Sequence, residues 1–303
     1  MRCMIHFTVG PLRKPTTLSS ALKMAGISST LRRRIKHNGT CRCNGIIVPP
    51  YHMVHTGDTI CITLPIRNAF EPEYIPIRIA YEDDYLLIID KAAGLLMHPT
   101  STQRQGTLAN AVAYYYNTTN QYRGYHPVHR LDKNTSGLCL IAKEPHIQSL
   151  FDKQKLLYRR VYWAIVTGYF PASLATINMP IAREPASIIK RHVDNDGKPA
   201  QSYMTRLAMN ETYSLLQIFL ATGRTHQIRV HCSALGYPLI GDDLYGGTQD
   251  KISRQALHAC AMELIHPITH KHLFITAPLP PDMQSLLIQA RWEHLLRPLS
   301  QFT

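Results

Sequence analysis

Asp132 lies in a stretch whose residue types can do chemistry. From Tyr125 to Lys143 the chain reads Tyr-His-Pro-Val-His-Arg-Leu-Asp-Lys-Asn-Thr-Ser-Gly-Leu-Cys-Leu-Ile-Ala-Lys. Apolar runs at residues 128–131 and 138–142 flank a polar segment from Asp132 to Gly137. Asp and Asn tolerate unusual backbone angles and Gly allows positive φ, so a tight strand connection is expected. Asp132 then has two readings. It either caps the turn's own backbone, or it is a carboxylate at a strand end, beside His129 and Arg130, serving as nucleophile or base.

A second run, Ala221-Thr222-Gly223-Arg224-Thr225-His226-Gln227-Ile228-Arg229-Val230-His231, is expected to close a strand and open a helix. A helix N-terminus favours anions, and Arg224 and Arg229 add charge there. His226 and His231 are five apart, not at the i, i+4 spacing of a helical zinc pair, so no metal site is expected. Between the two runs, residues 160–168 alternate and close on Gly168, which reads as a half-buried strand carrying Tyr162. The acidic pairs Asp83-Asp84 and Asp242-Asp243 are what a metal-dependent nucleic-acid hydrolase would use. Asp194-Asn195-Asp196-Gly197 stops after two acids and reads as a hairpin turn rather than a calcium loop.

Composition narrows the partners. The 303 residues are 45% hydrophobic, enough for a real core, and carry 33 Lys or Arg against 20 acids for a net charge of +13. That balance points to a polyanion, most simply nucleic acid. The excess is concentrated in residues 1–64, which hold nine basic residues (among them Arg32, Arg33, Arg34, Lys36 and Arg42) and one acid, Asp58. Seven cysteines without a C-x-x-C pair read as buried thiols of a reducing compartment. The first residues form no apolar run, so no leader is expected, and no run approaches the ~18 apolar residues of a membrane span. A cytoplasmic protein without membrane or metal partners is expected, and nothing demands more than a monomer.

The positioning elements follow from periodicity and punctuation. Residues 18–25 and 28–37 read as helices, the second with its cationic residues crowded on the faces away from Leu31 and Ile35. Short strands at 40–43, 46–48 and 59–64 follow, with Asn44-Gly45 as a hairpin signal. Residues 65–76 read as a linker. Strands are expected at 77–80, 85–90, 160–168, 201–208, 213–220 and 273–277, and helices at 107–117, 145–154 and 283–296.

The motif His129-Arg130-Leu131-Asp132-Lys133-x-Thr135-Ser136-Gly137-Leu138 resembles the catalytic motif of RluA-type pseudouridine synthases. The resemblance continues through Lys91 to Pro99 (with Ala92 where the family has Pro), through Arg160-Val161-Tyr162 (with Arg160 where the family has Lys), through the Gly223 to His231 run, and through Arg254 to Ala259 and His266-Pro267. It covers roughly residues 12–297. The order helix, basic helix, Gly39, Asn44-Gly45 and Gly57-Asp58 resembles the αL RNA-binding module of S-four-type ribosomal proteins, with Ser29-Thr30 where a Ser-Arg pair is often found.

What the resemblance implies is an α+β chain: an αL RNA-binding domain at 12–64, a linker at 65–76, and a catalytic domain at 77–297 on a long, mainly antiparallel mixed sheet with flanking helices. It implies an isomerase that flips uridines out of structured RNA, rRNA rather than tRNA, and converts them to pseudouridine without a cofactor. Asp132 would be the nucleophile, Tyr162 the residue packed on the uracil, and Arg224 the salt-bridge partner of Asp132. His129, Arg130 and Arg229 would contact RNA with the N-terminal cations, and Leu138 and Ile228 would line the active-site pocket. The alternative is a catalytically inactive RNA-binding or ribosome-assembly factor.

Overall fold

The computed structural model describes residues 5–64, 70–121, 123–153, 158–171 and 173–296, so residues 65–69 of the expected linker lie outside the described residues. The N-terminal part contains strand β1 (Ile5–Thr8), helices α1 (Leu18–Met24) and α2 (Ser29–Asn38), and strands β2 (Thr40–Cys43), β3 (Ile46–Val48) and β4 (Thr59–Thr63). The helices start where their caps dictate: Thr17 Oγ1 accepts from Ser20 N, and Ser28 Oγ accepts from Leu31 N. Asn44 and Gly45, at φ 50° and 83°, make the tight reversal between β2 and β3. The sheet order is β1-β4-β2-β3, antiparallel throughout. Leu18, Leu22, Leu31 and Ile35 of the helices pack on Ile60 and Ile62 of β4. The small sheet therefore begins before residue 12, because β1 pairs along its length with β4.

The rest of the chain forms β5 (Arg78–Glu82), β6 (Leu86–Lys91), α3 (Leu108–Thr118), β7 (Ser136–Ala142), α4 (Pro145–Lys153), β8 (Tyr158–Thr167), β9 (Leu174–Asn178), the ribbon β10 (Ile181–Arg183) and β11 (Arg191–Val193), β12 (Gln201–Met209), β13 (Tyr213–Leu220), α5 (Gln227–Ala234), β14 (Leu257–Ile265), β15 (His272–Thr276) and α6 (Pro281–Gln289). A ten-stranded sheet runs β9-β12-β13-β8-β14-β7-β6-β5, with β15 added to β14 and the two-residue strand His126–Pro127 added to β7. Its pairs are antiparallel except β7 with β14, where Ser136 faces His258 and Gly137 faces Ala259. The chain is thus α+β on a mainly antiparallel mixed sheet. Both faces are covered, so β7 is buried at all seven positions. Cys139 and Ile141 pack towards α3, while Leu138 and Leu140 pack towards α4.

Gly137 allows the parallel seam. Its φ is +107°, and a Cβ there would collide with the Ala259 carbonyl oxygen. Gly137→Ala is expected to lower stability by about 2–4 kcal/mol, read as a shift of the urea midpoint; an unchanged midpoint would show that the seam yields.

Three expectations are corrected. The last helix ends at Gln289 instead of running to 296, because Arg291 at φ 61° breaks it before a 3-10 turn at Glu293–Leu296. Asp194–Gly197 is a turn that follows β11, not the tip of the β10–β11 hairpin. Cys41, Cys43, Cys139, Cys232 and Cys260 are free thiols, but Cys61 is disulfide-bonded. No described helix is long and apolar enough to cross a membrane.

Candidate active site

The loop that carries Asp132 runs into β7 and is held from behind. Lys91, at the end of β6, is buried and donates Nζ to the carbonyls of Ala92, Leu95 and Lys133 at 2.8–3.0 Å. Arg254, fixed by Asp282, donates to Asn134 O at 3.1 Å. Gln255 Nε2 meets Thr135 Oγ1 at 3.2 Å, and Ser136 Oγ meets His258 Nδ1 at 2.9 Å. Each residue from 133 to 136 is therefore tied to a buried side chain. Burial lowers the Lys91 ammonium to about 8. The turn bond from Thr135 N goes to the carbonyl oxygen of Asp132, not to its carboxylate. The carboxylate is thereby left for other partners.

Those partners come from the start of α5. Asp132 Oδ2 lies 3.5 Å from Arg229 Nη1 and 3.9 Å from His226 Nε2. Arg229 is itself fixed by Asp242, which takes Nε and Nη2 at 2.7 Å each, and its guanidinium lies 4.8 Å from the Tyr245 ring centroid. Burial works against the Arg229 charge, but hydrogen bonds and charge from Asp242, with Asp132, outweigh it and raise its pKa. His226 sits at the helix N-cap in the left-handed region (φ 58°) and bonds Tyr245 Oη through Nδ1 at 2.8 Å. Burial lowers its pKa, against the pull of Asp132, so the ring is favoured neutral.

The expected partner of Asp132 is thereby corrected from Arg224 to Arg229. Arg224 is exposed in the loop before the helix, and its Nε donates to Pro199 O at 2.9 Å. The left-handed turn at His226 sends the following residues inward, so the arginine on the helix reaches Asp132.

Tyr162, on β8, is 3% exposed and accepts a bond from Arg160 Nη1 at 3.3 Å. Burial raises its phenol pKa, so it stays protonated at neutral pH. Tyr162 and Asp132 line one cleft of about 350 Å³ with Leu131, Leu220, Ile228 and Leu257. Ile228 therefore stands where expected. Leu138 does not: strand alternation turns it into the cluster of Leu86, Ile88, Phe151 and Met262, and Leu131 and Leu257 supply the apolar wall instead.

His129 also lines the cleft, stacked on Tyr158 (centroids 5.8 Å apart), with Nε2 accepting from Leu140 N at 3.2 Å. Burial, then the Arg160 charge, push its pKa well down and keep it neutral. Arg130 is exposed at the rim. Among the N-terminal cations, Arg32, Arg33 and Lys36 border one shallow groove on α2. Arg34 is near enough to the large sheet to depress His126, while Arg42 lies on β2 facing Ile47 and Cys61.

The acidic pairs of the hydrolase reading are spent elsewhere. Asp242 binds Arg229, and Asp83 takes bonds from Tyr81 Oη, Tyr85 N and Leu86 N and faces His266. Lys91, Arg254 and Gln255 form the support that sequence reasoning missed as functional, although the runs that hold them, 91–99 and 254–259, already carried the family resemblance.

These buried histidines make an acid prediction. Burial pulls His126 and His258 to about 4, below the ordinary value of 6.5. The unfolded chain therefore takes up protons first as pH falls. The stability these histidines contribute should be full above pH 6.5 and fall progressively towards pH 4, as measured by urea unfolding; a flat profile over that window would contradict the burial.

The family model for RNA pseudouridylate synthase matches residues 85–234, which include Asp132, Tyr162 and Arg229. An uncharacterised RNA pseudouridine synthase of Bacillus subtilis, YjbO, is 38% identical over 268 residues, covering 86% of this chain and 95% of the relative. Ribosomal large subunit pseudouridine synthase D of Pseudomonas aeruginosa is 36% identical over 268 residues, covering 82% and 83% respectively. In fold, human RNA pseudouridylate synthase domain containing 1 superposes with a TM-score of 0.57 at 24% identity, covering 73% of this chain and 97% of that one. The chain belongs to the RNA pseudouridylate synthase family and is an RNA pseudouridine synthase.

Proposed function

We propose that this chain isomerises uridines of large-subunit ribosomal RNA to pseudouridine, with Asp132 as the nucleophile or base and no cofactor. The observation that carries the reading is the line Asp132–Arg229–Asp242 at the wall of a cleft that also holds Tyr162. The name printed for the Pseudomonas relative supports the RNA class.

The reaction breaks the N1–C1′ bond, turns the uracil and joins C5 to C1′; the C5 proton leaves and N1 gains one. No electrons are exchanged, so the chemistry asks for no redox group. The target base must leave its stack to reach the cleft. Arg229, 3.5 Å from the Asp132 carboxylate, fixes it in place, which a nucleophile needs. Tyr162 packs on the uracil, and its protonated phenol sits at the base's edge. Leu131, Ile228 and Leu257 exclude water from the detached base.

Mapping pseudouridine in ribosomal and transfer RNA from cells with and without the gene, rescued by wild type or Asp132→Ala, tests the reading. A site that vanishes and returns only with wild type is the expected result. If every site survives deletion, the RNA-binding-factor reading takes its place.

The N-terminal sheet and helices, with the cations of α2, are proposed as an αL-type RNA-binding domain, extended to Ile5. Residues from 77 onwards are proposed as the catalytic domain. Deleting residues 1–64 should weaken RNA binding and reduce the slope of affinity against salt by roughly 0.7–0.9 for each phosphate that these cations neutralise. An unchanged slope would remove them from the interface.

A further inference from the structure

Three arginines are more than nine-tenths buried, and two of them are paired. Arg229, 7% exposed, is bound by Asp242; Arg254, 6% exposed, is bound by Asp282. Arg160, 8% exposed, is the exception: among the described residues no carboxylate stands at ion-pairing distance from it. It makes one long hydrogen bond to Tyr162 Oη (3.3 Å) and lies over the face of the Tyr158 ring, 5.6 Å from the centroid. Among the described residues most of its five donors are unspent.

Its surroundings say what is missing. Arg160 lines the same cleft as Asp132, and the cleft's arginines (130, 160, 224 and 229) outnumber its carboxylates, Asp132 and the exposed rim residue Asp152. Arg160 reaches Tyr162 at its hydroxyl, the far end of the ring, so the guanidinium lies beyond the surface on which a base packs. On its other side is the bare backbone of Gly223, where even a Cβ would stand 3.3 Å from Arg160 Nη2. Beside it, His129 accepts through Nε2, so the neutral ring carries its proton on Nδ1, which is buried against the Arg130 backbone without a well-aligned bond. A neutral uracil carbonyl would leave the positive charge unbalanced. A phosphodiester balances it and accepts several donors at once.

We propose that Arg160 is a phosphate-binding residue of the catalytic cleft, holding a backbone phosphodiester that flanks the flipped uridine. This rests on the uridine-isomerising reading above. The contact anchors the strand on one side of the flipped nucleotide while Asp132 and Tyr162 engage its sugar and base, and it is blind to sequence.

The test is a cycle of paired changes. An RNA stem-loop containing a mapped target uridine is made with a single methylphosphonate, uncharged, at either the 5′ or the 3′ phosphate of that uridine. Wild type, Arg160→Met and Arg160→Lys are measured with each RNA by equilibrium binding and by KM and kcat. Removing one charge-assisted hydrogen bond should weaken wild-type binding roughly 10- to 100-fold at one of the two positions. Arg160→Met should lose as much with unmodified RNA, and the two losses combined should not exceed either alone. Arg160→Lys should retain part of the affinity, which separates lost charge from lost fold; it serves in the same cycle if Arg160→Met does not fold. Losses that multiply at both positions, or a fall in kcat at unchanged affinity, overturn the phosphate assignment. A wild type that binds this RNA without forming pseudouridine overturns the proposed reaction instead, and the binding cycle still decides the contact.

Discussion

Asp132→Asn is expected to abolish turnover, by roughly 10⁴-fold or more, the scale seen when an essential nucleophile is removed, while RNA affinity stays close to that of wild type. The amide keeps the size and leaves Arg229 bound to Asp242, so the cleft and its cationic rim persist. It removes the anion that the carbon or proton chemistry requires. The loop should also survive, because the ties to residues 133–136 come from Lys91, Arg254, Gln255 and His258 and do not involve the Asp132 side chain. Release of label from C5-tritiated uridine in single turnover measures the first effect, and equilibrium RNA binding the second. Equal loss of both would mean that Asp132 is a structural capping residue.

The next largest effect is expected at Arg229, and it separates that residue from Arg224. Arg229→Met should cost about 10²–10⁴-fold in turnover, because Asp132 loses the charge that orients it. It should also lower stability by about 3–5 kcal/mol, since Asp242 is left buried and unpaired. The double variant Arg229→Met, Asp242→Leu removes the orphaned charge and should recover much of the stability without recovering activity. Arg229→Lys keeps a charge but not the two-pronged hold on Asp242, so it should remain well below wild type. Arg224→Met should change KM more than kcat, because Arg224 is exposed and bonded to the Pro199 carbonyl. A larger kcat loss at Arg224 than at Arg229 would reverse the geometric assignment.

The contrast between these two arginines shows what a linear sequence can convey. The turn that carries Asp132 was legible because its signal is local: turn residues between two apolar runs. The caps at Thr17 and Ser28 and the Asn44-Gly45 reversal were legible for the same reason. Arg224 and Arg229 share one motif, and what distinguishes them is the left-handed residue His226 and a carboxylate thirteen residues further along. Neither is visible without coordinates. Strand β1 escaped notice because four residues carry little periodicity, and their role comes from pairing with residues 59–62. Leu138 was misplaced by one step of strand parity: it is as apolar and as near to Asp132 in sequence as a wall residue should be, but the even positions of β7 face α4.

The parallel seam between β7 and β14 has a consequence for synthesis. The Asp132 loop is locked by residues 254–258, more than a hundred positions later, and Ser136 and His258 are 122 apart. Contacts so distant in sequence form late, after the loop-closure entropy of the intervening chain has been met. On a ribosome, a nascent chain ending before Arg254 can build β5, β6 and β7 as an antiparallel set, yet lacks every tie from the far side of the seam. The Asp132 carboxylate thus gains its fixed position only when almost the whole chain has emerged. Pulse proteolysis of stalled nascent chains should show the 132–137 segment cleavable until residues 254–259 clear the exit tunnel, and protected afterwards.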